Sequence, residues 1–232
     1  MRAELLEKII HARKQARAVV MISHLDTHTQ YLYSGNGEPD ADSIPEELSA
    51  QARLLLKEDR SQLVETAGGQ VFFHVFNTPL RMLIVGAVHI AQHLAPMATM
   101  CGYDVTVIDP RKSFASRERF PGISLNTAWP DEALRELAVD GRTAIVTLSH
   151  DPKLDDPALA AALQSDAFYI GALGSRKTQA GRRQRLVEKG FSEEQQLRIS
   201  GPVGLDIGAR TPAEIALSIM AQVTEKRCSE TD

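Results

Sequence analysis

Four short clusters of glycine and polar residues could form one ligand site, because each directly follows an apolar run in the second part of the sequence. They occupy positions 86–89, 109–111, 149–151 and 171–176. Apolar runs of this kind are typical of strands buried in a parallel sheet. The carboxyl ends of parallel strands share one edge, where open α/β sheets bind their ligands. We therefore expect the four clusters to converge on that edge.

The first two clusters have features of a nucleotide-binding turn. Gly86 and His89 lie where an apolar run gives way to a helix, whose N-terminus would offer free N–H groups to a phosphate. Asp109 follows Gly86 by 23 residues, the position of the acidic residue that binds a ribose hydroxyl in dinucleotide-binding folds. Val88 occupies the second glycine position of that fingerprint. Two interpretations stay open: a dinucleotide site, or a glycine that only makes the turn.

The cluster at 171–176 is the stronger candidate for binding an anion. Gly171 and Gly174 are expected to leave backbone amides exposed, and Ser175 to cap the following helix. Arg176 adds a planar guanidinium suited to phosphate or carboxylate. The helix carries further basic residues, which we interpret as a solvated face. These are Lys177, Arg182, Arg183, Arg185 and Lys189.

Two other polar positions allow a functional and a structural interpretation. His150 and Asp151 could do acid–base work or bind a polar ring, or Asp151 could cap a helix beside an incidental histidine. Asp206 is the one charge in the glycine-rich loop 201–208. That loop either approaches a ligand closely or makes a tight crossover to the last helix.

The histidines do not predict a metal site. His89 and His93 have helical ligand spacing, but no third ligand is evident. His24, Asp26 and His28 lie in a predicted turn, and we interpret both groups as incidental. No catalytic residue is assigned.

The elements that would position these clusters alternate between strand and helix from residue 81 onward. Strands are predicted at 82–85, 105–108, 143–148 and 167–170, with helices near 89–101, 131–138, 153–164 and 175–189. This order predicts a Rossmann-like parallel sheet for residues 79–232. Thr211, Pro212 and Glu214 predict a capping box at the start of the last helix.

Residues 1–78 are predicted to form a small α+β domain. Helices are expected near 4–16 and 45–58, and strands at 18–22, 29–33, 62–66 and 70–76. A turn-rich stretch covers 34–39, and Gly68-Gly69 favours a hairpin.

Composition excludes several classes of protein. The net charge of −4 argues against nucleic-acid binding, and two distant cysteines do not make a disulfide framework. No apolar stretch approaches the roughly 18 residues of a membrane span. The N-terminal segment is amphipathic, unlike a signal peptide, so we expect a cytoplasmic protein.

The ordered motifs resemble the XdhC/CoxI family of xanthine dehydrogenase accessory proteins. The most specific are Tyr-Ile-Gly-Ala-Leu-Gly-Ser-Arg at 169–176 and Gly-Pro-Val-Gly-Leu-Asp-Ile-Gly-Ala at 201–209. Shorter matches lie at 83–92, 105–111, 119–121, 149–151 and 211–219. The resemblance covers about residues 80–225.

This resemblance implies a non-enzymatic maturation factor that binds molybdenum cofactor (molybdopterin) as cargo and protects it. It also implies delivery to an apo molybdenum hydroxylase, cooperation with a cysteine desulfurase, and a homodimer. The cargo carries a terminal phosphate or a nucleotide. The loop 171–176 would hold the phosphate, and Asp109 and Arg111 would meet the ribose or pterin side. His150, Asp151 and Asp206 would line the pocket.

The chain departs from the family pattern at two places. Residues 1–80 contain no cysteine, and Gln70 follows Gly68-Gly69 where the family has a Gly-Gly-Cys-Val-Glu type of motif. Val88 replaces the second glycine of the family's Gly-Ala-Gly-His pattern. These departures predict a divergent member that binds cofactor without helping to sulfurate it.

Two other functions remain open from the residues alone. One is an NAD(P)-dependent oxidoreductase, against which Val88 and the lack of a Tyr-x-x-x-Lys pattern count. The other is a Rossmann module that senses a nucleotide and regulates a partner.

Overall fold

The structure is a computed structural model that describes residues 3–15, 17–35 and 44–229. The chain divides between Thr78 and Pro79 into two compact units. Most of the turn predicted at 34–39 lies outside the described residues.

The N-terminal unit is a four-stranded antiparallel sheet with two helices. Its strand order is β2-β1-β4-β3. In chain order, the elements are α1 (Ala3–Lys14), β1 (Val19–His24), β2 (Gln30–Ser34), α2 (Glu46–Lys57), β3 (Gln62–Thr66) and β4 (Gly69–Phe76).

Side-chain alternation along β1 gives this sheet two apolar faces. Val20 and Ile22 belong to the buried cluster that includes Leu55 of α2, whereas Val19 and Met21 share a second cluster with Ile9 of α1. Successive strand residues point to opposite faces, so each helix covers one side of the sheet. The predicted α+β composition of this part of the chain is confirmed.

The C-terminal unit is a six-stranded parallel sheet with helices on both faces. Its elements are β5 (Leu80–Val85), α3 (His89–Met100), β6 (Tyr103–Ile108), β7 (Ser124–Asn126), α4 (Pro130–Glu136), β8 (Thr143–Thr147), α5 (Pro152–Leu163), β9 (Tyr169–Ala172), α6 (Arg176–Glu188), α7 (Glu193–Gln196), β10 (Ile199–Ser200) and α8 (Pro212–Ser229).

The strand order β10-β9-β8-β5-β6-β7 confirms the Rossmann-like prediction. The chain runs outward from β5 to β7, then crosses back to β8 and runs outward in the other direction. The strand order therefore reverses between β5 and β8, and the crevice at such a reversal is where doubly wound sheets bind ligands.

Both faces of this sheet are buried by helices. Ile84 packs in the cluster that includes residues of α3 and α8, and its neighbour Val85 packs in the cluster with residues of α4, α5 and α6. Burial on both sides explains why these strands read as continuous apolar runs rather than as alternating ones.

The capping box of the last helix is confirmed. Glu214 N–H donates to Thr211 Oγ1 at 3.2 Å, and Thr211 N–H donates to Glu214 Oε2 at 2.9 Å. The side chains at the two ends of the first turn thus satisfy each other's backbone N–H groups.

Three short elements were not predicted: β7, α7 and β10. They have 3, 4 and 2 residues. Elements this short present no hydrophobic period, and β7 and β10 form because neighbouring strands offer them hydrogen bonds.

A substitution at Gly171 tests the packing between β9 and the loop that follows β10. A Cβ at this position would lie 2.5 Å from Val203 Cγ2 and 2.8 Å from Tyr169 Cε1. We expect Gly171→Ala to lower the free energy of unfolding by about 1–3 kcal/mol through overpacking. Urea denaturation measures the change.

Gly181→Ala is the matched control, because Gly181 lies within α6 and the nearest atom to its added Cβ, Arg185 Nη1, is 3.5 Å away. There the same methyl group should stabilise the protein by about 0.5–1 kcal/mol. Equal effects at the two positions would contradict the packing described for Gly171.

Candidate ligand site at the carboxyl edge of the parallel sheet

The strand register lines up the carboxyl ends of the four central strands. Val85 pairs with Ile108 on one side and with Thr147 on the other, and Thr147 pairs with Ala172. The loops that follow these four strands therefore start at the same level, along one edge of the sheet. The structure brings together the four clusters that the sequence analysis singled out.

At the reversal point, the turn after β5 packs directly against the loop after β8. Gly86 is buried and has a φ of +105°, a conformation that L side chains rarely adopt. A Cβ here would lie 2.8 Å from Ser149 N and 3.0 Å from Ser149 Cα. Glycine at 86 is therefore required for the two loops to meet.

Asp109 is a structural carboxylate at the heart of this edge. It is fully buried, and its Oδ2 accepts from Ala87 N–H at 2.8 Å and from Arg111 Nη2 at 2.8 Å. Its Oδ1 accepts from the N–H of Arg111 at 3.0 Å and from Arg111 Nε at 2.9 Å. A ribose hydroxyl could reach this carboxylate only by displacing one of these donors.

Arg111 keeps part of its guanidinium available to a ligand. Its side chain is one-third exposed, and within the described residues Nη1 makes no hydrogen bond. The hydrogen bond to Asp109 raises the pKa of Arg111, and the charges of Asp151 and Asp155 act in the same direction. The loops after β6 and β8 therefore lie within electrostatic reach of each other.

A second arginine covers the turn after β5. Arg119 Nη1 donates to the carbonyl oxygen of Ala87 at 2.9 Å, and its guanidinium lies 5.6 Å from the centroid of the Phe114 ring. The Arg111 guanidinium lies 4.3 Å from the centroid of the same ring. Since Ala87 N–H binds Asp109, both polar groups of this turn residue are used internally. Ala87 therefore has no backbone donor left for a pyrophosphate, and Val88 in the sequence also counts against one.

The loop after β8 combines a helix cap with a strained residue. Asp151 caps α5 by accepting from Lys153 N–H at 2.9 Å, which confirms its structural interpretation. His150 is exposed and has a φ of +61°, which is uncommon for a residue with a side chain. Ser149 Oγ donates to Asp155 Oδ1 at 2.6 Å and accepts from Asp151 N–H at 3.1 Å. The serine thus holds the loop in this shape.

The loop after β9 leaves backbone donors and a guanidinium exposed. Ser175 caps α6 by accepting from Thr178 N–H at 3.2 Å. Gly174 has a φ of +134° and lies against the Thr178 side chain. Within the described part of the chain, the N–H groups of Ser175, Arg176 and Lys177 have no hydrogen-bond partner, and the Arg176 side chain is exposed without an ion pair.

The predicted place of Gly171 on this loop is wrong. Gly171 is a buried residue of β9 that pairs with Val146 of β8 and Ser200 of β10. Its amide belongs to the sheet, and its lack of a side chain makes room for Val203 and Tyr169. The apolar run was expected to end at Ile170, but β9 continues through Gly171 to Ala172.

The solvated-face interpretation of α6 is wrong for Arg182, and it is incomplete for Arg185, whose side chain is 38% exposed but ion-paired. The Arg182 side chain is only 3% exposed, and it binds Asp155 at 3.4 Å and the carbonyl oxygen of Leu173 at 3.0 Å. Arg185 pairs with Asp156 through two hydrogen bonds of 2.5 and 3.1 Å. Burial raises the pKa of Asp155 and lowers that of Arg182, so each charge depends on the other.

The glycine-rich loop 201–208 is a tight connection to α8. Gly204 N–H donates to Gln222 Oε1 at 2.9 Å, and Val203 N–H donates to the carbonyl oxygen of Ala172 at 3.1 Å. These bonds support the crossover interpretation. Asp206 is exposed in this loop.

The predicted site residues therefore fall into two groups at one edge. Gly86, Asp109 and Gly171 are buried and shape the loops. The others are exposed or partly exposed and could touch a ligand. These are His89, Arg111, His150, Asp151, Gly174, Ser175, Arg176 and Asp206.

The sequence analysis did not identify Gln179 and Arg182 as buried residues that hold the loop after β9. Gln179 and Arg182 share the buried stripe of α6 with Leu186. Their spacing of three and four residues matches one face of a helix, and this signal would have placed them inside.

Among the described residues, no group of three or more His, Cys, Asp or Glu could hold a metal ion. Within the same ranges, none of the helices combines the length and the hydrophobicity that a bilayer span requires.

The lowered pKa of Asp109 predicts that its contribution to the free energy of unfolding depends on pH. Burial alone would raise its pKa, but the hydrogen bonds from Arg111 and Ala87 outweigh burial, so the pKa is lowered. A lowered pKa stabilises the fold above the unfolded value of about 3.9, and that stability is lost as the pH falls through the folded value. We expect Asp109→Asn to cost about 1.5–3 kcal/mol at pH 7, with the deficit shrinking below about pH 4.

Urea unfolding across this pH range gives the comparison. Asp104→Asn is the control, since Asp104 is an exposed residue of the same strand and its loss should change stability by less than about 0.5 kcal/mol. A deficit for Asp109→Asn that stays constant down to pH 3 would rule out the proposed pairing.

Comparison with known proteins places the second unit in a family. A family model described as the XdhC Rossmann domain matches residues 82–223. The molybdenum cofactor insertion chaperone PaoD of Escherichia coli (strain K12) is 34% identical over 152 residues, which are 66% of this chain and 42% of that protein. A probable xanthine dehydrogenase subunit of Bacillus subtilis (strain 168) is 32% identical over 148 residues, 63% of this chain and 43% of that protein.

A solved structure shares the fold. The crystal structure described as a xanthine dehydrogenase from Bacillus halodurans superposes with a TM-score of 0.70 at 21% sequence identity, covering 97% of this chain and 64% of that one. The matches to the two curated relatives span less than half of those proteins. Because the family model covers more than half of the sequence, the chain belongs to the family that carries the XdhC Rossmann domain, as its motifs predict.

Proposed function

We propose that this protein binds molybdenum cofactor at the carboxyl edge of its parallel sheet, protects it, and delivers it to a xanthine dehydrogenase-type molybdenum hydroxylase. The proposal rests on the family and on the function that gives one relative its name, the insertion chaperone PaoD. A homodimer is a further part of it, and so is a cysteine desulfurase as a second partner, with which the chain would share the cofactor without itself helping to sulfurate it. The chain would act as a carrier rather than as an enzyme.

The loop of Gly174, Ser175 and Arg176 is the observation that carries the proposal. Its unpaired N–H groups stand at the start of a 13-residue helix, where the backbone attracts anions. The exposed Arg176 guanidinium offers two parallel donors for a phosphate. The terminal phosphate of molybdopterin fits this chemistry.

Arg111 supplies a second point of attachment across the edge. Its Nη1 lacks a hydrogen bond within the described residues, while Nε and Nη2 are fixed on Asp109. A guanidinium held in this way needs little reorganisation to donate to a carbonyl or anionic group of the pterin. His150, Asp151 and Asp206 would line the pocket.

The edge suits binding better than turnover. Asp109 and Asp155 are buried and hydrogen-bonded, and Asp151 is engaged as a helix cap. General acid–base catalysis needs a group that can exchange protons with a substrate within hydrogen-bond distance. An NAD(P)-dependent oxidoreductase is disfavoured further, because both backbone polar groups of Ala87 are bound internally and Val88 stands where a pyrophosphate site needs glycine.

Replacing Arg176 tests the proposed phosphate contact. We expect Arg176→Ala to weaken the binding of purified molybdenum cofactor about tenfold or more, since a charge-assisted hydrogen bond contributes about 1.5–3 kcal/mol. Anaerobic equilibrium dialysis, with molybdenum measured by elemental analysis, gives the affinity. Transfer to an apo molybdenum hydroxylase gives the second readout.

Arg183→Ala is the matched control, because Arg183 is an exposed arginine on the same helix, roughly 10 Å farther along its axis. It removes the same charge and should leave affinity within about twofold. Equal losses of affinity in both variants would show that the effect comes from net charge and not from a contact made by Arg176. No binding by the wild-type protein would overturn the proposed function and favour a nucleotide-sensing module.

A further inference from the structure

A buried ion pair lies directly beneath the two loops that form the candidate site. Asp155 of α5 and Arg182 of α6 are 1% and 3% exposed, and Asp155 Oδ2 lies 3.4 Å from Arg182 Nη2. Arg182 Nε is buried without a hydrogen-bond partner in the described structure. An unpaired buried N–H costs stability, and replacing a buried ion pair by apolar residues is often neutral or favourable. Stability alone therefore does not account for this pair.

The contacts of the pair reach both loops. On one side, Asp155 Oδ1 accepts from Ser149 Oγ at 2.6 Å and from Ser149 N–H at 3.3 Å. On the other side, Arg182 Nη2 donates to the carbonyl oxygen of Leu173 at 3.0 Å. One ion pair thus joins the loop after β8 to the loop after β9.

Gln179 extends this connection to the anion-binding loop itself. Arg182 Nη1 donates to Gln179 Oε1 at 2.5 Å. Gln179 Nε2 in turn donates to the carbonyl oxygen of Ala172 at 2.8 Å and lies 3.4 Å from that of Gly174. The backbone on both sides of Leu173 is therefore hydrogen-bonded to the buried Gln179 side chain of α6. Ser175 and Arg176 follow directly after this segment.

A second ion pair at the same helix interface provides a comparison. Asp156, the residue after Asp155 in α5, and Arg185, about one turn beyond Arg182 in α6, form hydrogen bonds of 2.5 and 3.1 Å. The side-chain hydrogen bonds described for these two residues do not include either loop. This pair already joins α5 to α6. The Asp155–Arg182 pair differs from it because its hydrogen bonds also reach the loops after β8 and β9.

We propose that Asp155 and Arg182 are positioning residues for the ligand site, which fix the loops at 149–151 and 173–176 relative to each other. The identity of the ligand in this inference rests on the proposed function. The pair does not touch the ligand. It acts through Ser149 on one loop and through Leu173 and Gln179 on the other, so that the donors of both loops stand in place before binding.

The test compares two double variants that remove one ion pair each. Asp155→Leu with Arg182→Met breaks the contacts to the loops, and Asp156→Leu with Arg185→Met breaks the neighbouring pair. Both partners are replaced together because a single substitution would leave an uncompensated buried charge. Hydrogen exchange of the amides at 148–151 and 173–177, followed by mass spectrometry, reports the order of the loops.

We expect faster exchange at both loops and an affinity for purified molybdenum cofactor about tenfold weaker in the Asp155/Arg182 variant only. Exchange in the β5 and β8 strands should be unchanged in both variants. Loop exchange and affinity that are the same in the two variants would overturn the positioning role. If wild-type protein does not bind the cofactor, the proposed function fails, but the exchange comparison still decides the role of the pair.

A conservative pair of variants covers the case in which the double variant does not fold. Arg182→Lys keeps the buried charge but replaces a planar fork by one nitrogen, which cannot span Asp155, Gln179 and Leu173 together. Arg185→Lys is its control. Faster exchange at 173–177 in Arg182→Lys alone supports the inference, and equal exchange in both contradicts it.

Discussion

The close approach of Gly86 to Ser149 is the constraint on which the carboxyl edge of the parallel sheet depends. At the reversal of strand order, the turn after β5 and the loop after β8 meet with no room for a Cβ at 86. That contact sets the position of Ser149, whose hydroxyl then reaches Asp155 at 2.6 Å. Through Asp155 and Arg182, the constraint extends to the loop after β9. A glycine at one strand end therefore shapes loops on three neighbouring strands.

This arrangement separates the groups that build the edge from those that can meet a ligand. Asp109 and Asp155 are buried and hold backbone, whereas Arg176 is exposed and holds nothing within the described residues. Buried carboxylates that are already hydrogen-bonded keep the loops from rearranging, and binding to an ordered site costs less conformational entropy. Such a site suits a carrier, which must hold its cargo without transforming it and release it to a partner.

The sequence predicts the fold well because long apolar runs and helical periods are local signals. The runs at 82–85, 105–108 and 143–148 correspond to central strands, and the capping box at Thr211 begins a helix as expected. It fails at Gly171, where a glycine ended the predicted strand although the neighbouring strands continue to pair with it. It also fails at Arg182, since charge suggested solvent while helical spacing and a partner 27 residues away in the sequence place it inside. The failure at Gly171 arises from tertiary pairing that local composition does not contain. At Arg182 the helical period is present in the sequence, but its buried partner lies on another element.

The most direct test of a ligand site at the carboxyl edge is an anaerobic titration of ¹⁵N-labelled protein with molybdenum cofactor, followed through backbone amide chemical shifts. The amides of residues 86–89, 149–151 and 174–177 should shift together and saturate at one affinity, while those of the N-terminal unit stay unchanged. Shifts confined to residues 3–78, or to the amino ends of β5 and β8, would contradict a binding site at this edge.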